Sequence, residues 1–329
     1  MANGYADGTA ETYGSGLLVY HVYCDLKGIT EEDRAPAAAI LISSFAASLA
    51  GSYGGGTVAN YVYGVRAWHL IHGARWSMNK DELDVLLKAA DKLAPPTSKR
   101  KQRQPYTVEI LARIRPHFDL QIPLDAATWA CLTTTFWSGA RLGEFTVANL
   151  QSFDPQVHVK PSDMSSVSDR QGNKQQKFHI PRTKANQIHG EDVFWAEQPG
   201  AIDPKPALDA HLALNTPGPN DALFSYPHGR ARARRPLTKH TFLKRVAAAL
   251  RREGMNPLQG HGLRIGSVLE YLLRGLPFEV VKQIGRWASD SFQKYLRKHA
   301  QILAPYMQAK PQVQEAFTRY TMVSLPPVR

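Results

Sequence analysis

The stretch HGLRIGSVLEYLLRGLPFEVVKQIGRWASDSFQKYLR, His261 to Arg297, decides how this chain is read. It opens with a His and an Arg three residues apart and closes on Tyr295, set between Lys294 and Arg297. Between them runs a helix-turn-helix-like pattern. On a helix, positions i and i+3 share a face, so His261 and Arg264 can point at one ligand. Pro257 and Gly260 suit a turn into that helix, whose N-terminus favours an anion. An Arg fork matches two phosphate oxygens, and a His can donate a hydrogen bond or exchange a proton near neutral pH. Taken alone the pair is also an ordinary helix pair. At the far end, cations around a phenol stabilise the phenolate, which is how a Tyr becomes a nucleophile. Phe292 and Leu296 flank Tyr295, as they would flank a core Tyr.

Working outward, two upstream pieces bear on the same chemistry. In WSGARLGEF, Arg141 follows a helix break at Ser138-Gly139, and Glu144 lies three residues on. An everyday Arg–Glu helix pair explains that spacing as well as a site does. KFHIPRTKANQIHGEDVFWA, residues 177–196, has apolar halves around a polar centre and predicts a β-hairpin with Lys184 near its turn. A Lys in a turn is normally solvated.

The charge is uneven along the chain. Residues 1–94 hold 7 Lys and Arg against 10 Asp and Glu, and the remainder holds 33 against 18, so the excess of +12 lies wholly beyond residue 94. Such a patch suits a polyanion, most often nucleic acid; a generally basic protein is the plainer reading. No apolar run approaches the roughly 18 residues of a membrane span, so no membrane partner is expected. The start, MANGYADGTAETYGSG, lacks a secretory pattern, and Cys24 and Cys131 read as reduced thiols of an intracellular protein. No CxxC or HxxxH spacing offers a metal site.

The expected fold is mainly α with a small antiparallel β-sheet. Residues 1–94 read as a helical bundle, with helices over 35–53, over 54–73 from near Thr57, and over the amphipathic MNKDELDVLLKAADKLA. PPTSKRKQRQP, residues 95–105, reads as an exposed basic linker carrying Lys99, Arg100, Lys101 and Arg103. Residues 106–329 form the second domain. It is read with helices in TVEILARIRPHF and PLDAATWACLTTTFW, a strand in QVHVK (156–160), the hairpin, a helix in PALDAHLALN, and a loop leading to a basic helix capped by Thr238. Arg230, Arg232, Arg234, Arg235, Lys239, Lys244 and Arg245 line that loop and helix as candidate phosphate contacts. In the first domain NYVYGVRAWHLIHGARW sets Arg66, His69, His72 and Arg75 among aromatics, either a helix for a major groove or a packed amphipathic one.

Taken in order, Arg141 with Glu144, a hairpin Lys, His-x-x-Arg, and a Tyr about nine residues past Arg286-Trp287 resemble the tyrosine recombinase family. The resemblance covers roughly 106–297, and IGRWASDSFQKYLR is similar in particular to recombinases of eukaryotic mobile elements of the Crypton and DIRS kind. It implies a helical core-binding domain that clamps DNA, followed by an α+β catalytic domain. Arg141 and Arg264 would hold the scissile phosphate, Lys184 would protonate the leaving 5′ oxygen, and His261 would assist as acid, base or phosphate donor. Glu144 would support the pocket, and Tyr295 would form a 3′-phosphotyrosine. Neither metal nor other cofactor is needed. Many members carry a His nine residues before the nucleophile; here Arg286 stands there, and Trp287, eight before, is the type some members use. Either residue fits. The implied partners are double-stranded DNA and three further copies in a tetramer on two sites. The tail after about residue 300 would dock on a neighbouring protomer, and the location would be nuclear in a eukaryotic host. A domesticated DNA-binding protein without catalysis is the alternative.

Overall fold

The computed structural model describes residues 4–5, 7–99, 102–229, 233–287 and 297–303. The chain divides into two compact units, Met1–Gln102 and Arg103–Arg329, and the division falls within the basic 95–105 stretch.

The first unit is all helical: α1 (Asp7–Leu26), α2 (Glu31–Arg34), α3 (Ala39–Leu49), α4 (Gly55–Ile71) and α5 (Lys80–Lys92). Helix α1 has no counterpart among the elements read from the sequence. It packs along α4 through two glycines, one on each helix. A Cβ at Gly16 would stand 2.5 Å from the Tyr61 Cα, and one at Gly64 would stand 2.5 Å from the Tyr13 carbonyl oxygen. Backbone meets backbone there, so only glycine fits. Tyr20, Ile42, Phe45, Val58, Val62 and Val65 fill the core beside the crossing. Asn79 caps α5 by accepting from the Asp81 N–H at 2.8 Å, and the exposed face carries the helix's acidic and basic residues.

His69 belongs to this core and not to a groove-reading face. It is fully buried, its Nδ1–H donates to the Val65 carbonyl at 2.8 Å, and its Nε2 accepts from the Ala37 N–H at 2.9 Å. Burial lowers its pKa, so the ring is held neutral. Arg66 and Arg75 are exposed, and so is Lys99 near the end of the unit.

The second unit is built around α7 (Pro123–Trp137), preceded by α6 (Val108–Ile114). Every residue of α7 from Asp125 to Trp137 is buried. A helix buried on all sides needs neighbours on all sides. It has them: α8 (Leu142–Phe145), β3 (Glu191–Trp195), α9 (Pro204–Asn215), β4 (Tyr226–His228), α10 (Lys239–Arg252) and α11 (His261–Leu273) all pack on it. Burying side chains as large as Trp129, Phe136 and Trp137 contributes about 2–3 kcal/mol each.

The three-stranded sheet runs in the order β1 (Met164–Ser168), β2 (Lys174–Ile180), β3, with both pairs antiparallel. Alternation turns Phe178, Ile180, Val193 and Trp195 inward, and Phe178 meets Phe145 edge to face at 5.5 Å. The strand expected at 156–160 is absent. Asp154 accepts from the Gln156 N–H at 2.8 Å, and its carbonyl accepts from Val157 and His158, so the segment closes into turns and the outer strand begins at Met164. The stretch read as a loop before the basic helix holds a second hairpin, β4 with β5 (Ala233–Arg235). Thr238 does cap α10, accepting from the Thr241 N–H at 3.1 Å, and the Val147 backbone bonds Leu237 and Lys239 on either side of that cap. Helix α12 (Phe278–Ile284) follows α11 across a turn, and α13 spans His299–Leu303. The architecture is mainly α with small antiparallel sheets.

Candidate active site

The site grows from the C-terminal ends of two helices. Helix α7 ends at Trp137, and Gly139 turns the chain with φ +62°, a left-handed conformation that favours glycine. The turn delivers Arg141 to the N-cap of α8. Helix α12 is capped by Gly285, and Arg286 follows at φ +54°. For a side chain as large as Arg this backbone costs about 1–2 kcal/mol, so its surroundings must hold it there.

They hold it with carboxylates. One Arg286 nitrogen donates to Glu144 at 2.6 Å and another to Glu191 at 3.0 Å. Glu144, 8% exposed at its side chain, also accepts from the Arg141 backbone N–H at 2.8 Å and from the Arg141 guanidinium at 2.9 Å. A single buried carboxylate thus joins Arg141 to Arg286. Register places Glu191 opposite Ile180 as the first residue of β3. The Arg286 Nε is buried and has no hydrogen-bond partner among the described residues.

Arg264, on the first turn of α11, is 1% exposed. It donates to the Gly139 carbonyl at 2.7 Å and to the Gly285 carbonyl, and its guanidinium lies 4.0 Å from the Trp287 ring centroid. The i, i+3 spacing lets it share a face with His261, and its guanidinium is buried against the two helix ends. The physical reason is that the last carbonyls of a helix lack intrahelical donors and carry partial negative charge, which a buried cation satisfies. Tyr271, two turns along α11, donates likewise to the Trp137 carbonyl at 2.6 Å.

His261 lies at the start of α11 and lines a cleft of about 660 Å3 with Arg103, Lys239, His240 and Lys244 on its walls and Leu243, Pro257 and Leu258 among its apolar lining. Partial burial lowers its pKa to about 4, and the cations of Arg103, Arg264, Arg141 and Lys239 press it the same way. At neutral pH the ring is uncharged, with one nitrogen to donate and one to accept.

Lys184 stands on the 181–190 loop of the β2–β3 hairpin, where Thr183 and Asn186 close a turn through a 2.9 Å backbone bond. Its side chain is exposed. Tyr295 lies outside the described residues, as do Arg100, Lys101, Arg230, Arg232 and the tail from 304.

Two of the arginines read as phosphate contacts serve the fold. Arg245 forms a two-pronged ion pair with the buried Asp125 at 2.6 and 2.7 Å, donates to the His117 carbonyl, and covers the Phe118 ring at 4.4 Å. Arg234 donates to the Asn215 and Thr216 carbonyls at 2.7 and 3.0 Å and pairs with Asp221 at 3.1 Å. Lys239, Lys244 and Arg103 remain exposed, and Arg235 is half-buried. Glu191 is the polar site residue that the sequence did not single out; as an acid at a strand start it carries no local signature. Among the described residues no group of three His, Cys, Asp or Glu side chains could hold a metal ion, and no helix is long and apolar enough to cross a membrane.

No family model matches the chain, and no curated protein matches it. Solved structures do. The fold is similar to that of XerH site-specific recombinase bound to a palindromic difH substrate in a post-cleavage complex, at 17% identity and a TM-score of 0.55 over 94% of this chain and 79% of that one. It is also similar to a lambda integrase dimer bound to a COC′ core site, at 15% identity and a TM-score of 0.50 over 90% of this chain and 73% of that one. The chain has the tyrosine recombinase fold.

Proposed function

We propose that this protein is a site-specific DNA recombinase that breaks and rejoins strands through a 3′-phosphotyrosine. The observation that carries the reading is the convergence of Arg141, Glu144, His261, Arg264 and Arg286, drawn from α8, α11 and the turn after α12, within a recombinase fold. The basic cleft beside His261 supports a duplex as the partner, since exposed cations such as Arg103, Lys239 and Lys244 suit a phosphate backbone.

In the proposed reaction the Tyr295 oxygen attacks the scissile phosphorus. A Tyr–phosphate bond forms, the bond from phosphorus to the 5′ oxygen breaks, and Lys184 gives that oxygen a proton. The neutral His261 can take the phenolic proton or donate to a non-bridging oxygen. Arg141 offsets the negative charge of the pentacoordinate state directly, and the buried Arg264 adds its positive charge from behind, at the two helix ends. A 5′-hydroxyl from another strand then displaces the Tyr. The phosphodiester is conserved throughout, so no external energy source enters.

The finer readings are also proposals. The first unit, with Arg66 and Arg75 exposed, serves as the DNA-clamping domain, and four copies act on two sites. The sequence likeness to Crypton and DIRS elements supports a mobile-element origin and a nuclear location. A second reading, a DNA-binding protein that has lost catalysis, draws on one observation: Arg264 is bound to carbonyls and covered by Trp287.

A suicide-substrate assay decides between them. Duplexes from the ends of the parent element, nicked beside the cut so that the short 5′-hydroxyl fragment diffuses away, should trap a covalent adduct on a denaturing gel. Tyr295→Phe should abolish the adduct and keep DNA binding. Binding without any wild-type adduct would favour the second reading.

A further inference from the structure

Two residues compete for the position ahead of Tyr295, and the structure gives them different neighbours. Trp287 faces Arg264, 4.0 Å away. Arg286 is 9% exposed at its side chain and bonds Glu144 and Glu191 through two separate nitrogens. We propose that Glu191 is a positioning residue: with Glu144 it fixes the Arg286 guanidinium so that Arg286, and not Trp287, donates to the scissile phosphate. This rests on the recombinase reading.

The argument begins with flexibility. An Arg side chain has many rotamers, and a donor aimed at a transition state is effective only if it is already oriented when charge develops. One carboxylate leaves a guanidinium free to pivot about that contact; two carboxylates from different elements do not. Glu144 comes from α8 and Glu191 from β3, whose place is set by the sheet register. The pair also balances charge. Glu144 and Glu191 offset Arg141 and Arg286, so these cations can be packed together before any phosphate arrives.

The third guanidinium nitrogen supplies the independent sign of a ligand. Among the described residues the Arg286 Nε–H is buried and unpartnered, although two other nitrogens of the same group are bonded. Buried donors in native proteins are nearly always satisfied, and one left over in a charge-rich site calls for an explanation. A phosphate oxygen reaching this guanidinium would meet it. Glu191 itself touches no substrate atom in this scheme, and its effect passes wholly through Arg286.

The test is a double-mutant cycle on single-turnover adduct formation with the nicked duplex, using the full chain. Glu191→Gln should slow adduct formation about tenfold while the duplex Kd changes by less than about twofold. Glu191→Asp, which keeps the charge, should recover most of the rate. In an Arg286→Ala background, Glu191→Gln should cost nothing further. Thermal midpoints of all variants separate a folding defect from a rate defect. A Glu191→Gln protein that melts lower yet cleaves at the wild-type rate would overturn the inference, as would an undiminished penalty in the Arg286→Ala background. No adduct from the wild type would overturn the recombinase reading and this one with it.

Discussion

The Arg264 guanidinium lies over the Trp287 ring, 4.0 Å from its centroid, while its nitrogens bond carbonyls at the ends of α7 and α12. The ring therefore closes off a charge that the two helix ends hold from below. Trp287→Ala should destabilise the second unit by about 2 kcal/mol, as the cation–π attraction and the packing on the Val268, Leu269 and Val281 cluster are removed. Trp287→Phe should cost less than half as much. Urea unfolding of the two variants checks the order.

Glu144 is the carboxylate that two arginines share. Glu144→Ala would leave Arg286 and Arg141 short of a buried counter-charge, which costs about 3–5 kcal/mol. Glu144→Gln keeps one acceptor and should cost distinctly less. Denaturant midpoints at pH 7 give both values, and equal losses would mean that the charge is not what matters.

The basic helix α10 splits into two kinds of cation. Arg245→Ala should lower stability by about 3 kcal/mol, because Asp125 is left buried and unpaired, with no change in the salt dependence of duplex binding. Lys239→Ala and Lys244→Ala should do the reverse. Each should shift stability by less than about 0.5 kcal/mol. Each should also make the slope of log K against log salt shallower by about 1, because one phosphate is no longer neutralised. Titrations at several salt concentrations, beside thermal melts, separate the two classes.

Acid should unfold the second unit through its histidines. His211 is fully buried, its Nε2–H donates to the Leu223 carbonyl at 2.9 Å, and its Nδ1 accepts from Asn215 at 2.8 Å. Burial lowers its pKa to about 4, and His261 is lowered to about 4 as well. The unfolded chain, with ordinary histidines near 6.5, binds more protons between about pH 4 and 6.5. Stability is therefore full above that window and falls as pH drops through it, by about 3 kcal/mol for His211 alone. Unfolding free energies measured from pH 7 to 4.5 should decline with acid; a level profile would contradict the neutral, buried assignment.

The α1–α4 crossing makes the last prediction. Gly64→Ala places a methyl 2.5 Å from a backbone oxygen, so the helices must separate, and the first unit should lose about 1–3 kcal/mol. The exposed Gly56→Ala, with nothing within 4 Å, serves as the control and should be neutral or better. Circular dichroism melts of the two variants distinguish them.

Local patterns carried much of this architecture. The amphipathic repeat of α5, the Thr238 cap, the helix break before Arg141 and the alternation of β2 and β3 are each written within a few residues. What was not legible depends on partners far along the chain. Lys239, Lys244 and Arg245 look alike in sequence, and only Asp125, 120 residues away, sets Arg245 apart. Arg286 meets Glu144 across 142 residues and Glu191 across 95, so nothing near either acid announces the pairing. Alternation in 156–160 suggests a strand because it ignores the Asp154 turn beside it. Helix α1 hid for a related reason: glycines weaken a helical signal, yet here they make the crossing possible.

The enclosed position of α7 sets how the second unit opens. Amide hydrogens exchange when a segment parts from its neighbours, and α7 has neighbours on every side, from β3 and β4 to α9, α10 and α11. No small fluctuation uncovers it; its backbone meets solvent only when those elements come away together. Its amides are then the last in the unit to take up deuterium, and their exchange rate reads the global unfolding free energy of the unit directly.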